Sequence, residues 1–198
     1  MSSKFNENTR VQVPAALHLC RLGYIYLDNI HEVGYDQKTN ILVRIFQEAL
    51  TRLNPEMSED EISQNITEVI RMAKNDDLGR EFYQKISQES GIRVIDFENP
   101  DNNSWHCTTE FTCENPDTHD NFRPDITCFV NGLPLAFIEV KKENNHKGIQ
   151  AETDRMKQRF VNPQYRRFLN ITQIMVFSND MEYDNNEVTP TIGAFYAT

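Results

Sequence analysis

Asp125, Glu139 and Lys141 stand out in the stretch RPDITCFVNGLPLAFIEVKKE, residues 123–143, where two apolar runs flank Asn131-Gly132 as in a β-hairpin. Strand side chains alternate, so Glu139 and Lys141 share a face while Val140 turns away. Whether Asp125 joins them depends on parity. A plain two-residue turn at Asn131-Gly132 would pair Asp125 with Ile138 and turn it away from Glu139. One extra residue in the hairpin moves its partner to Glu139 and sets the two carboxylates face to face. Gly132 can take the left-handed backbone of a bulged loop, and Pro134 has no N–H to give a regular ladder, so the sequence predicts an odd-length turn or a bulge here.

Two carboxylates brought together disfavour each other's ionisation, and burying them without partners is costly. A divalent cation resolves that conflict. Hard carboxylate oxygens suit Mg²⁺, which keeps several waters and takes only one or two protein carboxylates. Such an ion polarises a phosphodiester and lowers the pKa of a bound water, and an ammonium at Lys141 would position the attacking hydroxide and offset transition-state charge. The chemistry expected of Asp125, Glu139 and Lys141 is therefore metal-assisted phosphodiester hydrolysis. The alternative for these three residues is a surface hairpin with an ordinary ion pair, worth about 0–1 kcal/mol.

Charge distribution narrows the partner. The 198 residues carry a formal net charge of −10, which argues against general affinity for nucleic acid. Residues 141–170 depart from that average. They hold eight Lys and Arg against Glu143, Glu152 and Asp154, a basic stripe directly after the hairpin that is either a solvated helix face with i,i+4 pairs or a track for a phosphate backbone. No apolar stretch approaches the roughly 18 residues of a membrane span, and MSSKFNENTR does not read as a secretory signal, so a cytoplasmic location is expected. Cys20, Cys107, Cys113 and Cys128 form no C-x-x-C pair, and buried structural thiols are expected rather than zinc or redox chemistry.

The elements that must position these residues follow from pattern. Pro14 fits the first turn of a helix running to Leu22, with Gly23 at its end and a strand over residues 24–27. A helical block occupies about residues 38–90. Its first helix spans 38–53, a capping box of Ser58 and Glu61 opens a second, and a third covers roughly 78–90. Strands are predicted at IRVIDF, residues 92–97, and at WHCTTEFTC, residues 105–113, where Trp105, Cys107, Thr109, Phe111 and Cys113 would share one face with Trp105 in the core. After the hairpin come a helix over 148–160, a buried strand in ITQIMVFSN and a last strand in TIGAFYAT. The expectation is one α/β domain over 1–198, a mixed sheet flanked by helices with a helical insertion at about 38–90.

Pro124-Asp125, thirteen residues, then Glu139-Val140-Lys141 has the form of the PD-(D/E)xK nuclease motif. The wider phrase FRPDITCFVNGLPLAFIEVKKENNHKGIQAETDRMKQRF, continuing through NITQIMVFSNDMEYD, resembles the N-terminal nuclease domain of the restriction subunit, HsdR, of type I restriction-modification enzymes. The resemblance implies a restriction-endonuclease-like fold and Mg²⁺-dependent cleavage of double-stranded DNA. It also implies an ATP-driven motor and a complex with modification and specificity subunits. Carried over by position, Asp125 and Glu139 would bind metal, the Val140 carbonyl would add a ligand, and Lys141 would be catalytic. No G-x-x-x-x-G-K-[ST] occurs, so the motor is expected beyond residue 198.

Two features depart from the family pattern. The Q-x-x-x-Y of many relatives is absent, since Gln150 is followed four residues on by Asp154 and Gln158 by Asn162. Lys142, Lys147, Arg155 and Arg159 are instead the expected DNA contacts. A metal ligand from the first helix has only Glu7 and Gln12 as candidates. His106 and His146 are read as solvated or hydrogen-bonded rather than catalytic. Two other functions are compatible with the sequence: a docking or DNA-binding module without catalysis, and a stand-alone structure-specific nuclease such as a junction resolvase.

Overall fold

The computed structural model describes residues 11–88, 91–113, 121–141 and 148–178. Helix α1 (Val13–Arg21) has Pro14 in its first turn, and Gly23, at φ +103°, follows its end. The chain then forms β1 (Ile25–Tyr26), α2 (Ile30–Val33), α3 (Val43–Leu53), α4 (Glu59–Met72) and α5 (Arg80–Ser87). It continues as β2 (Trp105–Thr109), β3 (Ile126–Val130), β4 (Leu133–Val140), α6 (Gly148–Val161), α7 (Arg166–Ile171) and β5 (Ile174–Ser178). The strands form one mixed sheet in the order β1-β2-β3-β4-β5, with the outer pairs parallel and the inner pairs antiparallel. A mixed sheet flanked by helices is the architecture the sequence predicts.

Alternation along the strands divides the core. Cys107, Ile126 and Cys128 face Ala15 and Leu19 of α1, whereas Phe129, Phe137, Met175 and Phe177 lie on the other face with Met156 of α6 and Phe168 and Leu169 of α7. Helices α3, α4 and α5 share a further core with Leu133, Leu135 and Ile171. Ser58 and Glu61 form the predicted capping box of α4, each satisfying the other's backbone N–H. Cys107, Cys113 and Cys128 are buried, and burial pushes the thiols of Cys107 and Cys128 up to about 12, which leaves them as unreactive apolar groups.

The hairpin contains the shift that parity required. Asn131 and Gly132 both take positive φ, 51° and 82°, and Val130 pairs with Leu133 across this two-residue turn. Beyond it the register slips: Cys128 pairs with Ala136, Thr127 with Phe137 and Ile126 with Ile138. Two residues of β4, Pro134 and Leu135, thus stand against Phe129 alone, a bulge where Pro134 lacks the N–H for a ladder bond.

Four expectations need correction. Residues 92–97 form no strand. Ile92 and Val94 are buried, but side-chain amides replace a ladder: Asn54 bonds both the N–H and the carbonyl of Arg93 (2.7 and 2.9 Å), and Asn131 donates to the carbonyl of Val94 (3.0 Å). Helix α3 starts at Val43 rather than at 38, because Asp36 ties Thr39 and Asn40 into a turn and Asn40 sits at φ +61°. Glu110, at φ +52°, ends β2, so Cys107 faces α1 while Phe111 and Cys113 join the opposite core. Trp105 is only partly buried; it packs against Tyr24 (centroids 5.6 Å apart) and donates to the Pro100 carbonyl. The segment TIGAFYAT lies outside the described residues.

Gly132 serves the turn in two ways, through its positive φ and through its closeness to α3. A Cβ there would lie 2.7 Å from the Leu42 carbonyl oxygen and 2.9 Å from the Phe46 nitrogen. Gly132→Ala is expected to destabilise the fold by about 2 kcal/mol or more, from left-handed strain plus overpacking. Urea denaturation checks this, and an unchanged midpoint would contradict the account of the turn.

Candidate active site at the end of the β3–β4 hairpin

Continuing the shifted register one residue beyond β3 sets Asp125 opposite Glu139. The Asp125 carbonyl accepts from the Gln12 side-chain amide (2.8 Å) and from the Glu110 N–H (3.0 Å). Its carboxylate oxygen Oδ2 accepts from the Val140 N–H (2.8 Å). Asp125 is therefore fixed from the start of α1, from the end of β2 and from β4. Gln12, predicted as a candidate ligand, acts here as a fastener of that backbone.

Glu139 pairs with Phe177 of β5 and points to the α6 side of the sheet, where it is only 7% exposed. Its carboxyl is pushed up to about 8, by burial first and then by Asp125 and Glu152, against the opposing charges of Lys141 and Arg159. Lys141 is held at its backbone by the Ser178 carbonyl (2.7 Å), and its Nζ lies 3.3 Å from Oε1 of Glu152. Glu152, on α6, is 4% exposed and also takes Arg155 Nη1 at 2.9 Å. One turn further on, the Arg159 guanidinium lies 4.2 Å above the Phe122 ring and 5.5 Å from the Tyr165 ring, which holds it in the field of Glu139. Phe122 is braced in turn by Phe137 and Phe168.

The structure thus brings together Asp125, Glu139, Val140, Lys141, Gln12, Arg155 and Arg159. Glu7, Lys142, Lys147 and His146 lie outside the described residues. His106 is buried toward the other end of β2, three residues from Thr109, and its burial lowers its pKa. Glu152 was missed by sequence reasoning. Its signal was present: it is one of three acids in a basic stretch, spaced i, i+3 and i, i+7 from Arg155 and Arg159 on a predicted helix.

A divalent cation fits the residues at this point of the fold. Asp125 and Glu139 offer hard oxygens close enough for one charge to raise the other's pKa, and a buried Glu139 gains from a cation what it cannot gain from water. Among the described residues no group of three or more His, Cys, Asp or Glu side chains could hold a metal by themselves. Two carboxylates as donors would suit an ion that keeps most of its waters, such as Mg²⁺, better than a closed zinc cage.

Comparison with known proteins bears out the family resemblance read from the sequence. Residues 4–188 match the protein family described as "Type I restriction enzyme R protein N terminus" (HSDR_N). In Methanocaldococcus jannaschii, a protein named as the type I restriction enzyme MjaIXP endonuclease subunit is 27% identical over 204 residues, covering 91% of this chain and 19% of that protein. A second, named as the MjaVIIP endonuclease subunit, is 42% identical over 65 residues, covering 32% of this chain and 6% of that protein. The chain spans about a fifth of the length of the first relative. Among the described residues no helix is long and apolar enough to cross a membrane.

The raised pKa of Glu139 has a consequence for stability. Between the unfolded value of 4.5 and the folded value of about 8, the native state holds a proton that the unfolded state has lost. Unfolding free energy then falls as pH rises through that window, by at most about 1.4 kcal/mol per pH unit, and the contribution is fully present below it. Glu139→Gln is expected to flatten this slope in urea titrations at pH 5.5 and 7.5 without divalent ions. An equal slope in the variant would contradict a buried, proton-holding carboxyl.

Proposed function

The chain belongs to the type I restriction enzyme R protein N-terminus family, and we propose that it is the DNA-cleaving domain of such a subunit, hydrolysing phosphodiesters of double-stranded DNA with Mg²⁺. The observation that carries this reading is the register shift that sets Asp125 opposite Glu139, with Lys141 on the same face. Asp125, Glu139 and the Val140 carbonyl would hold the ion. When bound, it supplies polarisation of the phosphoryl oxygen and a more acidic water.

The rest of the chemistry belongs to this chain's side chains. The Val140 N–H and the fixed Asp125 backbone hold the aspartate carboxylate in place before substrate arrives, so little reorganisation is needed during reaction. Lys141 orients the attacking hydroxide and offsets charge gathering on the phosphorane-like transition state. Arg155, which is exposed, and Arg159 lie on the α6 face beside the carboxylates and would take DNA phosphates, with Lys142 and Lys147 preceding the helix in sequence. ATP-driven translocation would reside in the remainder of a longer subunit working with modification and specificity subunits.

Asp125→Ala, Glu139→Ala and Lys141→Ala in the full-length subunit are each expected to lower Mg²⁺-dependent cleavage of circular DNA by about a hundred- to ten-thousand-fold. ATP hydrolysis should continue in all three. Linearisation of DNA at the wild-type rate by any of them would contradict the assignment and favour a docking role for the domain.

A further inference from the structure

Resting on the nuclease reading above, we propose that Glu152 is a positioning residue that holds the Lys141 ammonium in its working place and away from the two carboxylates that bind the ion. Glu152 touches neither Asp125 nor Glu139 through any hydrogen bond among the described residues, yet it is among the most buried charges of the fold at 4% exposure. Its oxygen Oε1 lies between two cations, Lys141 Nζ at 3.3 Å and Arg155 Nη1 at 2.9 Å.

A buried ion pair is a poor device for stability alone. Desolvation of the charges offsets most of their attraction, and apolar residues of the same volume do as well or better. The pair is more readily explained by what Lys141 would do without it. Its side chain is only 18% exposed and it lies in the field of Glu139. Without Glu152, the field that couples Lys141 to Glu139 would draw the ammonium toward the carboxylates, into the space a metal ion needs. Glu152 reaches Lys141 from a different element, α6, so the helix sets the ammonium's position independently of β4, which ends one residue before Lys141. Arg155 balances the remaining charge of Glu152, as a supporting partner does for a ligand.

The test is a double-mutant cycle on DNA cleavage by the full-length subunit, using Glu152→Gln, Lys141→Gln and the pair, with Asp125→Ala as the reference. Glu152→Gln should lower kcat by about ten- to a hundred-fold with little change in KM for DNA. It should add nothing in the Lys141→Gln background, because a residue acting through Lys141 has nothing left to act on. Independently of activity, modification of Lys141 by an amine-reactive reagent, read by peptide mass, should be several-fold faster in Glu152→Gln. Glu152→Asp, which keeps the charge but shortens the reach, should behave like Glu152→Gln and covers the case in which the amide variant misfolds.

Unchanged kcat in a folded Glu152 variant, a loss that multiplies with that of Lys141→Gln, or unaltered Lys141 reactivity would each overturn the inference while leaving the nuclease reading intact. Wild-type cleavage by Asp125→Ala and Lys141→Gln would overturn both.

Discussion

One extra residue in β4 decides which face of the sheet carries Asp125 relative to Glu139, because strand side chains alternate with a period of two and a one-residue slip moves a side chain to the other face. Pro134 and Leu135 against Phe129 make that slip. Without it Asp125 would oppose Ile138 and face α1 and the cysteine-lined core. The tight turn at Asn131-Gly132 and the bulge beyond it are two separate devices. The turn brings the strands together and lets α3 approach Gly132 closely; the bulge then resets the register before the strands reach the end that carries the carboxylates.

The second constraint is electrostatic. Asp125, Glu139 and Glu152 converge where the sheet meets α6, and only Lys141, Arg155 and Arg159 oppose them among the charges described there. The aromatic cluster of Phe122, Phe137 and Phe168 keeps water from much of this region and so strengthens both repulsion and attraction. Glu139 responds by holding its proton to higher pH, its pKa being raised to about 8. A divalent cation would remove the reason for that protonation, and burial of the site would then favour binding such an ion.

The hairpin was legible in the sequence because parity, Asn-Gly and Pro134 all constrain the same few residues. The capping box of α4 and the end of α1 at Gly23 were legible for the same reason: local chemistry fixes them. Residues 92–97 were misread as a strand because their apolar alternation is real but their backbone partners are the amides of Asn54 and Asn131, 39 and 37 residues away from the carbonyls they bond. Side-chain capping over that separation leaves no local pattern. The same holds for Glu152, whose partner Lys141 lies on another element, and for Gln12, whose carbonyl partner is 113 residues distant. The positive φ of Glu110, which exchanges the faces of Cys107 and Phe111, has no signature in its residue type.

A divalent-cation site at Asp125 and Glu139 would owe its geometry to the register shift. Anomalous diffraction from crystals of the protein grown with Mn²⁺ tests it most directly, since the ion is located without reference to activity. A manganese peak is expected between the Asp125 and Glu139 carboxylates, close to the Val140 carbonyl, with no such peak in Asp125→Ala. Manganese bound elsewhere on the molecule, or an empty position between these two carboxylates at millimolar Mn²⁺ with DNA present, would contradict it.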